Sequence, residues 1–187
     1  DFMSVTHLWR KEPGVRLLGS RALDGSKVQA PCIVRAPSGG FRLFYTAVGP
    51  AKPFPACQGY ILSAISDDGL TFRTEPGIRL APQPALPHMS LRVLAPTITP
   101  CAANRWRLPD GRGRLYCCCA EFGADGIASG QRISTSVLSA ITSDGLNFEF
   151  EPGHRLRDKQ ADYDTAGITA AEVIAPSDDD GRWTMFF

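Results

Sequence analysis

No stretch of this chain is apolar for long enough to cross a membrane as a helix. Neither sign of charge is in excess: 20 Lys and Arg stand against 19 Asp and Glu, a net charge of +1. That balance offers nothing to nucleic acid or to an anionic membrane. No window shows a helical apolar period, which argues against a helical fold. Among the six cysteines there is no Cys-X-X-Cys pair, so the usual zinc-site spacing is missing. Cys117, Cys118 and Cys119 stand in a row, unlike a disulfide framework. On a strand, Cys117 and Cys119 face one way and Cys118 the other. They read as small buried hydrophobes in a reducing compartment, which points toward the cytoplasm. No secretory leader is visible, and the chain opens on Asp1 rather than Met, as a processed or truncated chain would.

What is present is repetition. The hexapeptide Glu-Pro-Gly-X-Arg-Leu occurs at Glu12–Leu17, Glu75–Leu80 and Glu151–Leu156. Ahead of the second copy stands Leu62-Ser63-Ala64-Ile65-Ser66-Asp67-Asp68-Gly69-Leu70-Thr71-Phe72. Ahead of the third stands its counterpart, Leu138-Ser139-Ala140-Ile141-Thr142-Ser143-Asp144-Gly145-Leu146-Asn147-Phe148. Asp-Gly between two alternating runs is a hairpin signal, because Gly tolerates positive φ and Asp caps its own turn. Earlier in each unit, Val28-Gln29-Ala30-Pro31-Cys32-Ile33 matches Val93-Leu94-Ala95-Pro96-Thr97-Ile98. A looser third copy is Ile168-Thr169-Ala170-Ala171-Glu172-Val173. An aromatic-rich strand follows each, led by Phe41, Arg114 and Arg182.

One unit is therefore four short antiparallel strands, and an array of such units is an all-β β-propeller. The chain reads as one partial propeller domain over 1–187. Residues 1–17 close a preceding blade, 24–80 and 88–156 are complete blades, and 165–187 begin the next. Open ends leave unpaired edges that must be covered. Either the remainder of a longer chain or a second copy would cover them. Two copies with three blades each would close a six-bladed ring.

The run from Ala30-Pro31 through Phe41-Arg42-Leu43-Phe44-Tyr45-Thr46 to Ser66-Asp67-Asp68-Gly69 resembles the five-bladed glycosidase propellers of glycoside hydrolase families 43, 32, 68 and 130. Ser66–Phe72 also resembles the Asp-box turn of sialidases. The resemblance covers nearly the whole chain, but its motifs are structural ones. It implies a carbohydrate or glycoside ligand at the channel mouth and, if the protein is catalytic, hydrolysis by paired carboxyls. Neither a cofactor nor a metal is expected.

In family 43 enzymes the residue after Ala-Pro often tunes the acid. That position holds Cys32, Thr97 and Glu172 here, so only Glu172 can ionise as a carboxylate. The resemblance makes Glu172, Asp164 and Asp24 the candidate catalytic carboxylates. His88, Arg92, Lys27 and Asp162, at or before the starts of first strands, are the candidate ligand-binding residues. Five of these have a plainer alternative. Asp24 sits in a turn sequence, Asp162 and Asp164 in a polar loop, and Lys27 and Arg92 at a strand end. The loops 48–59 and 121–131 occupy equal places in successive units and carry Glu121 and Asp125 as further carboxylates. No matched catalytic set stands out, so a non-catalytic carbohydrate- or protein-binding propeller, or an assembly component, is the second reading.

Overall fold

The computed structural model describes residues 11–36, 39–98, 112–122, 132–162, 165–174 and 182–187. The fold is all-β, with antiparallel sheets and a short 3-10 turn at Pro87–Met89. The first sheet orders β1 (Lys27–Arg35), β2 (Phe41–Val48), β3 (Tyr60–Ser66) and β4 (Arg73–Thr74). The second repeats it with β5 (Val93–Ile98), β6 (Gly113–Phe122), β7 (Arg132–Thr142) and β8 (Glu149–Phe150), and β9 (Leu156–Arg157) also pairs β7. Last come β10 (Glu172–Ile174) and β11 (Thr184–Phe186), a two-stranded pair.

Strand alternation sends each sheet's side chains to both neighbours. Phe44 and Ile61 of the first sheet meet Leu115, Cys117, Cys119 and Leu138 of the second in one core. Phe44 and Phe148 pack edge to face, with ring centroids 5.7 Å apart. On its far side the second sheet presents Tyr116, Cys118 and Val137 to Ile168, Ala171 and Val173. The three adjacent cysteines thus divide between two cores, and burial pushes the Cys118 thiol up to about 12. The far side of the first sheet carries Leu43, Tyr45 and Leu62, covered in part by Leu17, Leu23 and Phe72.

The repeated residues form a repeated clamp. Arg42 donates two hydrogen bonds of 3.0 Å to the carboxylate of Glu75, and Ser63 donates one of 2.6 Å. Arg114 binds Glu151 the same way at 2.7 and 2.8 Å, with Ser139 donating at 2.6 Å. The hexapeptide glutamate therefore ties the second and third strands to the segment that closes the sheet. Arg79, which is buried, donates to the Pro76 and Gly77 carbonyls and reaches the next sheet at Leu146 O, 3.1 Å away. In the hairpin turns, Asp68 and Asp144 each accept from the backbone N–H groups two and three residues on. These hydrogen bonds pull Asp68 down to about 2 and hold Asp144 lower still.

Candidate functional site

The first strands of both full sheets carry the same irregularity. Pairing of β1 with β2 slips by one residue between Gln29 and Cys32, and pairing of β5 with β6 slips between Leu94 and Thr97. Each slip is a bulge that contains Ala-Pro. Ala30 and Ala95 take positive φ, 51° and 48°, a region that Cβ sterics disfavour. Proline fits a bulge because no ladder hydrogen bond is asked of it. Thr46, wholly buried, accepts from the Ala95 N–H at 2.8 Å and so supports the second bulge from the first sheet. A bulge re-aims the side chain that follows it. Those side chains are Cys32 and Thr97.

The three residues at the repeated position come together. Buried Thr97 donates its hydroxyl to Glu172 Oε2 at 3.0 Å. The Cys32 sulfur accepts from Ile98 N–H at 3.2 Å, beside Thr97. Burial raises the Cys32 thiol most, and the negative charge of Glu172 raises it further. Glu172 itself is exposed at the start of β10, paired across the ladder with Phe186. An accessible carboxylate thus sits against a buried hydroxyl and a protonated thiol. It can accept a proton or a hydrogen bond from a ligand. Among the described residues no second carboxylate shares a hydrogen bond with it.

Other candidates lie elsewhere. Asp24 is 2 % exposed and accepts from Ser20 N–H, Arg21 N–H and Tyr45 Oη. That carboxylate holds the turn leading into β1. Burial and the Asp24 charge together push the Tyr45 phenol well above its ordinary range. Lys27 is exposed at the first residue of β1. Arg92, its counterpart, is half-buried, and its Nε is buried without a hydrogen-bond partner. His88 lies in the 3-10 turn, with its ring centroid 5.0 Å from that of His154. It lines a cleft of about 510 Å3 together with Gln83, Glu149 and Pro152. Asp162 is exposed, while Asp164 and Asp125 lie outside the described residues. No group of three or more His, Cys, Asp or Glu side chains that could hold a metal ion is found among the described residues.

Asp158 went unremarked in the sequence. It is 7 % exposed and accepts from Ser134 Oγ, Thr135 N–H and Thr135 Oγ1, all at 2.7 Å. Burial opposes its ionisation, but the hydrogen bonds from Ser134 and Thr135 outweigh it and lower its pKa. Thr135 Oγ1 also accepts from Ile168 N–H at 2.6 Å. Asp158 therefore anchors the segment that leads to Glu172. The signal was its place two residues beyond the third hexapeptide, where the other units carry no acid.

No protein-family profile matches the chain, and no curated protein does. Solved structures do. A glycoside hydrolase matches with a TM-score of 0.59 at 15% identity, over 81% of this chain and 44% of that one. A BT0996 RGII complex matches with a TM-score of 0.59 at 16% identity, over 86% and 47%. Zg3597, a family 117 glycoside hydrolase of the marine bacterium Zobellia galactanivorans, matches with a TM-score of 0.51 at 16% identity, over 92% and 45%. The likeness shows a fold shared with glycoside hydrolases. This chain spans less than half the length of each of these structures.

Proposed function

We propose that the chain belongs to a glycosidase-like β-propeller that takes a carbohydrate or glycoside where the first strands of its sheets converge. The carrying observation is the meeting of Cys32, Thr97 and Glu172, the same position of three units, around one accessible carboxylate. The fold shared with glycoside hydrolases supports a carbohydrate ligand at this coarse level. Sheet-by-sheet repetition supports a propeller, with blades over 24–80 and 88–156.

In the catalytic form of this reading, Glu172 is the acid or the group that tunes it, with its orientation set by Thr97. Hydrolysis needs a second carboxyl across the scissile bond. Asp164 is the proposed second member. Asp24 would have to leave its turn to act, which its three donors oppose. In Glu172→Gln we expect turnover of aryl glycosides to be lost while the circular dichroism spectrum stays that of the parent. Unchanged turnover would remove Glu172 from the mechanism.

One observation favours the second reading, a carbohydrate- or protein-binding propeller without hydrolysis. Glu172 has no carboxylate companion among the described residues, and Asp24 is fully engaged. Binding of glycosides without turnover by the parent protein would establish it. Ring closure, by a second copy or by more chain, is read from solution mass by light scattering. A concentration-independent dimer supports two copies, and a mass that climbs with concentration speaks against them.

A further inference from the structure

Among the described residues, Arg92 is a half-buried arginine for which no acceptor stands in place. Arg42 and Arg114 each grip a glutamate, and Arg79 donates to three carbonyl groups. Arg92 stands just before β5, with its neighbour's carbonyl pinned by the hydrogen bond from Gln58 N–H to Leu91 O, 2.8 Å. Its guanidinium lies 5.7 Å from the centre of the Phe122 ring, so its direction is set by an apolar wall. Nε is buried and unpaired. The charges around it do not offset it. Arg132, paired across the ladder with Phe122, adds a second positive charge, and it donates only to the Ala166 carbonyl, at 2.8 Å, among the described residues. Cys118 and Cys119 are the other near groups, and the Cys118 thiol keeps its proton to about 12. Among the described residues no carboxylate forms an ion pair with Arg92 or Arg132.

Two adjacent cations, one of them partly desolvated, are a costly arrangement unless an anion completes it. A guanidinium is matched best by the paired oxygens of a carboxylate or a sulfate. We propose that Arg92, over the ring of Phe122, and Arg132, paired across the ladder with Phe122, form an anion-binding site that takes the carboxylate or sulfate of an acidic oligosaccharide. This deepens the carbohydrate reading above and rests on it. The site lies at the head of the strand that carries Thr97, five residues earlier, and Thr97 holds Glu172. That places the anion on the order of 15 Å along the strand from the carboxylate. The acidic group then sits on a sugar removed from the one at Glu172, so a single acidic sugar is too short to reach both.

The test has two arms on the intact chain. Inorganic sulfate is titrated while the arginine Nε–H resonances are followed by NMR. Separately, calorimetry compares an oligogalacturonide, its carboxyl-reduced neutral counterpart and a sulfated galactose oligosaccharide. The expected result is a saturable sulfate shift at Arg92, and at least tenfold tighter binding of one acidic oligosaccharide than of the neutral one. Whether the carboxylate or the sulfate ester wins names the source. Arg92→Met should level acidic and neutral ligands, and Arg92→Lys should keep part of the preference. No sulfate shift at Arg92 overturns the anion site in the parent protein, with no variant needed. Equal binding of acidic and neutral oligosaccharides overturns the acidic ligand but leaves the carbohydrate reading standing. A sulfate shift with no oligosaccharide bound overturns the carbohydrate reading, and the acidic oligosaccharide with it.

Discussion

At the residue scale, the unusual feature is an alanine with positive φ, repeated in Ala30 and Ala95. Each is followed by a proline, which narrows the backbone of the residue before it further. A left-handed alanine costs about 1 kcal/mol. Glycine would relieve that strain, but it loses roughly 0.5–1 kcal/mol to its freedom in the unfolded chain. Ala95→Gly should therefore stay within about 0.5 kcal/mol of the parent, because the two effects nearly cancel. Ala95→Val should lose more than about 1.5 kcal/mol, since a β-branched side chain tolerates this conformation worst. Urea unfolding of the two variants beside the parent checks both. If Val is tolerated as well as Gly, the bulge is not held in the left-handed region. The strained residue lies in the bulge just before Thr97, whose hydroxyl donates to Glu172.

At the element scale, the sheet is closed by the clamp of arginine, glutamate and serine. The side chains of Arg42 and Glu75 are 14% and 13% exposed, so water screens their pairing weakly. Removing one partner leaves a charge that the sheet cannot solvate. Glu75→Ala is expected to cost about 2–4 kcal/mol, because Arg42 then loses its carboxylate and Ser63 its acceptor. The pair of changes Arg42→Met with Glu75→Leu should recover at least half of that loss, since no charge remains buried. Denaturant midpoints of the single and double variants decide it. A double variant as weak as the single one would mean the clamp acts through shape rather than charge. In the second sheet the same clamp at Arg114 and Glu151 raises the pKa of Arg114 and lowers that of Glu151.

At the scale of the whole molecule, several groups tie stability to pH in one direction. The pKa values of Asp68, Asp144, Glu151 and Asp158 all lie below the ordinary carboxylate range in the fold. A lowered folded pKa gives stability that is present above the unfolded value of about 4 and lost as pH falls through the folded one. His154 adds a shoulder at higher pH. Burial, then Arg157 and His88, lowers its pKa, so the unfolded chain takes up a proton first as pH drops below about 6.5. The denaturation midpoint should therefore be highest near neutrality, decline gently below about pH 6.5 and fall steeply from about pH 4 toward pH 2. In Asp144→Asn the steep part should flatten. A midpoint unchanged between pH 7 and pH 3 would contradict this. The molecule also keeps an apolar groove on the far side of its first sheet, lined by Val28, Pro31, Ile33, Leu43, Tyr45 and Phe72. The second sheet buries its corresponding cysteines and leucines against the first.

Legibility followed the range of the interaction. The hairpins at Asp68 and Asp144 were readable because an Asp-Gly turn is settled by its own residues, through hydrogen bonds spanning two or three positions. The all-β class was readable from alternation and turn residues, and the division of the three cysteines between two cores from the period of a strand. Asp24 could not be placed by reading, because a carboxylate in a turn sequence looks alike whether it faces solvent or Tyr45. The same holds for Arg92, whose Nε is left unpaired among the described residues by what distant segments bring near it. By itself the sequence determined the strand period, the turns and the equivalence of Cys32, Thr97 and Glu172. Only the tertiary structure decided that those three meet, that Asp158 anchors the approach to Glu172, and that Arg92 Nε is buried with no hydrogen-bond partner among the described residues. Contacts between residues more than sixty positions apart depend on how sheets pack, and local preferences carry no record of that.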